Sequence, residues 1–160
     1  MLRVIDASSI IHGWDNYPPE QFPRLWKWVA EEIESKELQI PRVAFDEVKG
    51  KLPECADWLR DTGIEKLVEN EGILKFAVTI HSLLGIEGDD YGNGVGENDI
   101  LIIASAKISN AELITNEKIQ NNLPSNLKNC KIPAVCDFQK VCVPHIDFLR
   151  YLKVSGEVFG

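Results

Sequence analysis

Short apolar segments alternate with helical stretches along most of this sequence, and this alternation constrains the fold more than any other feature. The first strand-like segment lies within Leu2–Ser9, where only Arg3 interrupts the apolar run before Asp6. The others are Leu38–Ile40, Ala111–Thr115 and Val141–Val143. The connections between them are too long for hairpins. The sequence therefore predicts an α/β fold with a mostly parallel central sheet and right-handed crossovers.

Helical periodicity fills the segments between these strands. Apolar residues at positions 22, 25, 26, 29 and 33 form a stripe typical of a helix that ends near Lys36. Gly63 and Gly85 are placed to end two further helices. The remaining predicted helical segments are Arg42–Leu52, Pro53–Arg60, Ile73–Leu84, a buried helix capped by Asn98, a turn within Lys131–Cys136, and His145–Leu152.

Length and composition predict a single domain. A chain of 160 residues with 44% hydrophobic content is typical of one globular domain with a sizeable core. Apolar runs such as Ile100–Ala104 are far shorter than the roughly 20 residues of a membrane span. Met1 leads directly into the first strand, without the pattern of a secretion signal. We expect one domain over residues 1–160, in the cytoplasm and away from membranes.

The four cysteines indicate a reducing environment. Cys55, Cys130, Cys136 and Cys142 form no Cys-x-x-Cys pair, and no histidine lies at zinc-ligand spacing from them. Cysteine is a good small core residue where thiols stay reduced. We expect all four to be reduced and structural.

A glycine-rich and acidic segment between Gly85 and Gly96 indicates a mobile, solvated loop. It does not match a calcium-binding EF-hand. With Gly94 as the central glycine, Tyr91 occupies the third position and Ile100 the twelfth, where oxygen ligands are needed. We expect this loop to lie beside the active site.

The net charge of −8 is unusual for a nucleic-acid-binding protein, which commonly carries a basic surface. The acidic residues are concentrated in the first two thirds of the chain. A site that holds divalent cations is also net negative before the ions bind. Composition alone therefore leaves the partner open.

Three acidic residues follow one positional rule. Asp6 follows the first strand, Asp99 opens a buried helix and Glu117 follows the Ala111–Thr115 strand. Strand ends and the starts of the following helices share one edge of a parallel sheet, so these carboxylates can converge there. Taken alone, Asp6 has a second interpretation, in which it only caps a turn before a helix that starts at Ser8 or Ser9.

Glu47 joins this group from the helix over Arg42–Leu52. At about 100° per residue, Glu47 lies beside the apolar arc of that helix and can reach an internal cleft. Its neighbour Asp46 lies nearly opposite the arc and should be solvated.

Carboxylates that converge repel one another unless a cation pairs with them. Mg²⁺ and Mn²⁺ bind such oxygen ligands and activate water for phosphodiester hydrolysis. The motifs of rival mechanisms, such as a P-loop or a Gly-x-Ser-x-Gly elbow, are missing, and His12, His81 and His145 stand singly. The acids therefore favour metal-dependent phosphodiester chemistry.

The segments around these acids resemble the PIN domain, the nuclease fold of VapC-type toxins and of several RNA-processing enzymes. The similarity runs through most of the chain. It is carried by Asp6-Ala7-Ser8, Pro41–Val48, Asn98–Ala104 and Thr115-Asn116-Glu117. Other segments resemble a prokaryotic PIN-like branch long known only as a domain of unknown function: Tyr17-Pro18-Pro19, Phe22-Pro23, Trp26 and Ile132–Cys136.

The resemblance implies a three-layer α/β/α sandwich and an endoribonuclease that depends on Mg²⁺ or Mn²⁺. Asp6, Glu47 and Asp99 would be metal ligands, and Ser8 would support them by hydrogen bonding. Glu117 would be the fourth acid, at a position where the family often has aspartate, and Asn116 would share its role.

The resemblance also implies partners. For the toxin branch these are an RNA substrate and a small antitoxin protein that blocks the site, and we expect a homodimer. Lys118 follows Glu117 and is a candidate for contact with the RNA phosphates, although a solvated surface lysine is an equal interpretation.

An alternative hypothesis keeps the fold without the chemistry. The chain would then be a catalytically silent PIN-like module that binds RNA or protein. This hypothesis predicts that the acids do not converge, or that a fixed lysine or arginine pairs with one of them.

Overall fold

The computed structural model describes residues 1–160 and contains a five-stranded, fully parallel sheet with helices on both faces. The strands occur in the sheet in the order β3-β2-β1-β4-β5. In chain order they are β1 (Arg3–Ile5), β2 (Leu38–Pro41), β3 (Glu65–Leu67), β4 (Glu112–Ile114) and β5 (His145–Ile146). The predicted three-layer α/β/α architecture with a mostly parallel sheet is confirmed.

Eight α-helices connect and cover the strands. They are α1 (Ala7–Asn16), α2 (Pro23–Glu34), α3 (Arg42–Lys51), α4 (Pro53–Thr62), α5 (Glu71–Leu83), α6 (Glu97–Ile108), α7 (Ile132–Cys136) and α8 (Phe148–Ser155). A short 3₁₀ helix covers Leu127–Asn129. None of the helices combines the length and the apolar composition that a membrane crossing requires.

Strand β1 lies at the centre of the sheet and pairs with β2 and β4. Its register places Ile5 beside Ile114 of β4. The one charged residue of β1, Arg3, lies beside Glu112 and forms an ion pair with it, with 2.8 Å between Nε and Oε1. Because its charge is paired across the strands, Arg3 is compatible with a central position.

The structure differs from the sequence-based prediction at the carboxyl-terminal end of the sheet. Val141–Val143 was predicted as a strand, but Cys142 has a φ of 51° and the amides of Val141 and Cys142 donate to the Phe138 carbonyl. These bonds close a turn, so the last strand is β5 and the last helix begins only at Phe148. The predicted helix over His145–Leu152 was wrong in its first turn.

The start of α6 also differs from the prediction. The cap of this helix is Gly96, and the predicted cap Asn98 lies exposed within the first turn. The Gly96 amide donates to Asp99 Oδ2 at 3.1 Å. The side chain of Asp99 therefore satisfies the backbone amide of the cap residue, as in a capping box.

The segment between α5 and α6 is only partly the solvated loop that was predicted. Residues 87–90 are exposed, but Val95 is buried. The amides of Gly94 and Val95 donate to the carbonyls of Lys128 and Cys130 at 3.1 and 2.9 Å. These bonds attach the end of the loop to the segment before α7.

The cysteines are all free of disulfides, and three of them are buried. Cys55, Cys130 and Cys136 belong to the hydrophobic core, as expected. Cys142 is exposed, so the prediction of a structural core role was wrong for this residue. Its position in the tight turn after Phe138 explains why its side chain leaves the core.

Candidate active site

Asp6 is the most enclosed of the candidate acids. Its side chain is 2% exposed and lies at the junction of β1 and α1. The Ser8 hydroxyl and the Ser9 amide donate to Oδ1 at 2.8 and 2.9 Å, and the Thr115 hydroxyl donates to Oδ2 at 2.6 Å. A carboxylate offers about four lone pairs. These three donors therefore hold Asp6 in place and leave Oδ2 able to accept one further contact.

The capping interpretation of Asp6 is confirmed, and its role as an acid of the site stays a prediction. Asp6 is the cap of α1 through its bond with the Ser9 amide. Its burial raises the pKa of the carboxyl from 3.8 to about 7, against the opposing effect of the three hydrogen bonds and with a further rise from the charge of Glu117. In the folded protein, ionisation of the Asp6 carboxyl therefore has a free-energy cost, which a bound cation would offset.

A hydrogen-bond network behind Asp6 ties α1, β4 and α8 together. Asn116 Oδ1 accepts from the Ser9 hydroxyl at 2.7 Å and from the Phe148 amide at 3.0 Å. The Asn116 amide donates to the Ser8 hydroxyl at 3.0 Å. The Ser8 hydroxyl therefore links Asp6 to the Asn116 amide, and its role in supporting a metal ligand stays a prediction. Asn116 Oδ1 is occupied by two structural hydrogen bonds, so Asn116 contributes by positioning the elements around Asp6.

Asp99 and Glu117 lie in one electrostatic environment with Glu47. Burial raises the pKa of Asp99, and the charge of Glu47 raises it further. Burial also raises the pKa of Glu117, with additional contributions from the charges of Asp99 and Glu47. The four residues Asp6, Glu47, Asp99 and Glu117 come from separate segments of the chain, and we refer to them as the acidic cluster.

Two lysines face this cluster. The charges of Lys131 and Lys51 lower the pKa values of Asp99 and Glu117, which partly opposes the effect of burial. Lys51 also pairs with Glu47 one helical turn earlier, at 3.5 Å. Lys118, the predicted phosphate contact, is exposed on the strand-following segment and forms no ion pair.

The neighbour of Glu47 behaves as its helical position predicts. Asp46 is exposed and pairs with Arg42 at 2.7 Å. Glu47 is only partly exposed, and its charge acts on Asp99 of α6. The separation of these two adjacent acids by helical periodicity is confirmed.

The acidic cluster does not form a closed coordination shell. No three Asp, Glu, His or Cys side chains are arranged to hold one metal ion together. Mg²⁺ is commonly bound by only one or two carboxylates and keeps several waters. The donor set, with a free lone pair on Asp6 and raised pKa values on Asp99 and Glu117, therefore fits a hydrated divalent ion better than a fully protein-ligated one.

The sequence predicts no individual role for two residues of the site, Thr115 and Lys131. Thr115 was noted only as part of a motif, although the register of Ile5 with Ile114 places it directly beside Asp6. The sequence signal for a role of Thr115 is that this hydroxyl residue directly follows β4, the strand that pairs with β1. Lys131 had no such signal, because the segment between Glu117 and α7 has little regular structure.

The fully parallel sheet carries the acids at its strand ends and on the adjoining helices. The chain belongs to the family described as a domain of unknown function (DUF4411), whose model matches residues 4–156. No curated protein matches the chain.

The solved structures that share this fold include two VapBC complexes. A chain in the crystal structure of VapBC2 from Rickettsia felis, bound to a DNA fragment from its promoter, has a TM-score of 0.57 and 15% identity, and the match covers 92% of this chain and 98% of that one. A chain of VapBC-1 from nontypeable Haemophilus influenzae has a TM-score of 0.55 and 18% identity, with 93% and 99% covered. At these identities the similarity is one of fold.

Proposed function

We propose that this protein is a divalent-metal-dependent endoribonuclease that hydrolyses RNA phosphodiester bonds, and that it is the toxin of a toxin-antitoxin pair. The observation that carries the proposal is the acidic cluster, in which burial raises the pKa values of Asp6, Asp99 and Glu117 and the charges of neighbouring acids raise them further. Such crowding costs stability unless a cation binds there. The fold shared with two VapBC structures supports the toxin assignment.

In this proposal Asp6 and Asp99 hold Mg²⁺ or Mn²⁺, and Glu47 and Glu117 act on the waters around it. The ion, when bound, supplies a nucleophilic water and neutralises charge on the phosphate. Thr115, Ser8 and Ser9 keep the Asp6 carboxylate oriented, and the Gly96 amide does the same for Asp99. The homodimer and the role of Lys118 remain predictions.

The silent-module alternative predicts either that the acids do not converge or that a fixed lysine or arginine pairs with one of them. Lys51, which contacts Glu47, is the candidate for such a pair. The Lys51 side chain is 67% exposed and its 3.5 Å contact with Glu47 lies within one helical turn. Pairs of this kind contribute little to stability. An arriving metal ion can therefore displace Lys51 at low cost, which favours the catalytic hypothesis.

The proposal is tested by RNA cleavage with purified protein. We expect cleavage with Mn²⁺ or Mg²⁺, no cleavage with EDTA, and loss of cleavage in Asp6→Asn and Asp99→Asn. Asp46→Asn, which removes an exposed acid from α3, is the matched control and should remain active. Cleavage in EDTA as fast as with the metal ion, or cleavage by both active-site variants as fast as by the wild type, would indicate a contaminating nuclease. RNA binding without cleavage would favour the silent module.

The toxin assignment is tested in cells. Expression of the chain in a bacterial host should stop growth, and expression of Asp6→Asn should not. Co-expression of a small protein encoded beside this gene should restore growth. Unimpaired growth despite cleavage activity in vitro would point to an RNA-processing enzyme.

A further inference from the structure

A polar cavity of about 460 Å³ adjoins the acidic cluster and has no role in the proposal above. Its lining includes Glu117 and Ile119 from the segment after β4, Ile146 of β5, and Asp147 and Arg150 at the start of α8. Ligand sites commonly enclose about 300–1,000 Å³. The cavity is therefore large enough for one nucleotide, and Glu117 belongs both to its lining and to the acidic cluster.

Arg150 is the free cation of this cavity. Its backbone amide donates to Asp147 Oδ1 at 2.7 Å, but its guanidinium forms no ion pair or hydrogen bond. The other basic side chain of the lining, His145, is held by Asp137 at 2.9 Å. An unpaired guanidinium presents two parallel N–H donors, which match the oxygens of a phosphate.

The remaining walls suit a ribose or a base. Ile119 is 66% exposed at the rim, and Ile146 and Pro133 add apolar surface inside. Apolar side chains of this size cover the face of a nucleobase, whereas the arginine binds the phosphate. The cavity thus combines Glu117 of the acidic cluster with Asp147, the unpaired Arg150 and apolar side chains.

We propose that this cavity holds the nucleotide next to the cleaved bond, with Arg150 on its phosphate and Ile119 and Ile146 against its base. The proposal rests on the ribonuclease function proposed above. Arg150 is then a substrate-binding residue that sets the register of the RNA strand relative to the acidic cluster.

Fluorescence anisotropy with a 5′-labelled single-stranded RNA of about ten nucleotides, in EDTA, measures binding without cleavage. We expect Arg150→Ala to weaken binding about tenfold. The slope of the logarithm of the binding constant against the logarithm of the salt concentration should become shallower by about one. Arg150→Lys should recover part of the affinity. Lys153→Ala, one turn further along α8 and outside the cavity, should change binding less than about twofold. Equal effects of Arg150→Ala and Lys153→Ala, or no RNA binding by the wild type, would overturn the proposal.

Cleavage assays with Mn²⁺ separate this proposal from the function on which it rests. Arg150→Ala should raise KM while leaving kcat nearly unchanged, and Ile146→Ala should alter base preference beside the cleavage site in a randomised RNA pool. If the wild type binds RNA through Arg150 but never cleaves it, the ribonuclease function fails and the binding site stands. If the wild type cleaves and Arg150→Ala has the KM of Lys153→Ala, the cavity assignment fails alone.

Discussion

Replacement of Asp6 by asparagine should make the protein more stable at neutral and alkaline pH, even though it removes the central acid of the site. Burial raises the pKa of Asp6 from 3.8 to about 7 in the folded state. Between these two pH values the Asp6 carboxyl is protonated in the folded protein and ionised in the unfolded chain. Wild-type stability from this group is therefore greatest below about pH 4, declines as pH rises to about 7, and is constant above that.

The magnitude follows from the pKa difference. One pKa unit corresponds to about 1.4 kcal/mol, so the Asp6 charge lowers the free energy of unfolding by about 4 kcal/mol above pH 7. An asparagine side chain at this position would keep an acceptor for the Ser9 amide but would present an N–H₂ group to Thr115 in place of Oδ2. This mismatch costs about 1 kcal/mol at every pH. The difference in unfolding free energy between Asp6→Asn and wild type should thus rise by about 4 kcal/mol from about pH 4 to about pH 8.

Urea unfolding followed by tryptophan fluorescence, in EDTA and at several pH values, measures this difference. Asp46→Asn provides the control, because it makes the same chemical change at an exposed position of α3. Addition of Mn²⁺ at about pH 8 should reduce the gap, since an ion that binds only the wild type stabilises only the wild type. A difference that stays flat or falls with pH would refute the argument that burial dominates the ionisation of Asp6.

Further predictions concern the surroundings of the site. Thr115→Val removes the 2.6 Å hydrogen bond to Asp6 and should weaken Mn²⁺ binding about 10–100-fold in titration calorimetry, whereas unchanged affinity would show that the hydroxyl is dispensable. Gly94→Ala would place a Cβ in steric overlap with the Cys130 carbonyl oxygen and should lower the unfolding free energy by about 1–3 kcal/mol. Gly50→Ala, in a helix with open space around it, should instead raise it by about 0.5–1 kcal/mol, and similar urea midpoints for the two variants would contradict this account. The expected homodimer should sediment at twice the chain mass, and Val78→Asp on the exposed apolar side of α5 should convert it to monomer; a wild-type monomer would rule it out.

The parallel sheet and the position of Asp6 could be predicted because both depend on local pattern. An apolar strand followed by an acid predicts that the acid lies at the end of a buried strand. Helical periodicity likewise predicts that Glu47 and Asp46 point in different directions. Strand β3 was missed because Glu65 and Lys66 are exposed at the edge of the sheet, where charged side chains suit an edge strand but hide its pattern.

Other parts of the site depend on contacts that no local pattern encodes. Lys131 comes to face Asp99 because the irregular segment after β4 folds back. The backbone amide of Lys131 donates to Gln120 Oε1 at 2.7 Å. The end of the sheet was misassigned because a valine-rich segment has strand propensity, whereas hydrogen bonds to Phe138 decide for a turn. Tertiary context decided both cases.

The order of the strands has a practical consequence. Residues 87–90 are exposed, and a break there would separate the chain into a half with β1, β2 and β3 and a half with β4 and β5. The first half carries Asp6 and Glu47, and the second carries Asp99 and Glu117. The two halves would meet along the β1–β4 pairing and the packing of α5 against α6. The protein is thus suited to fragment complementation, in which two separately expressed pieces each lack half of the acidic cluster and regain it only on reassembly.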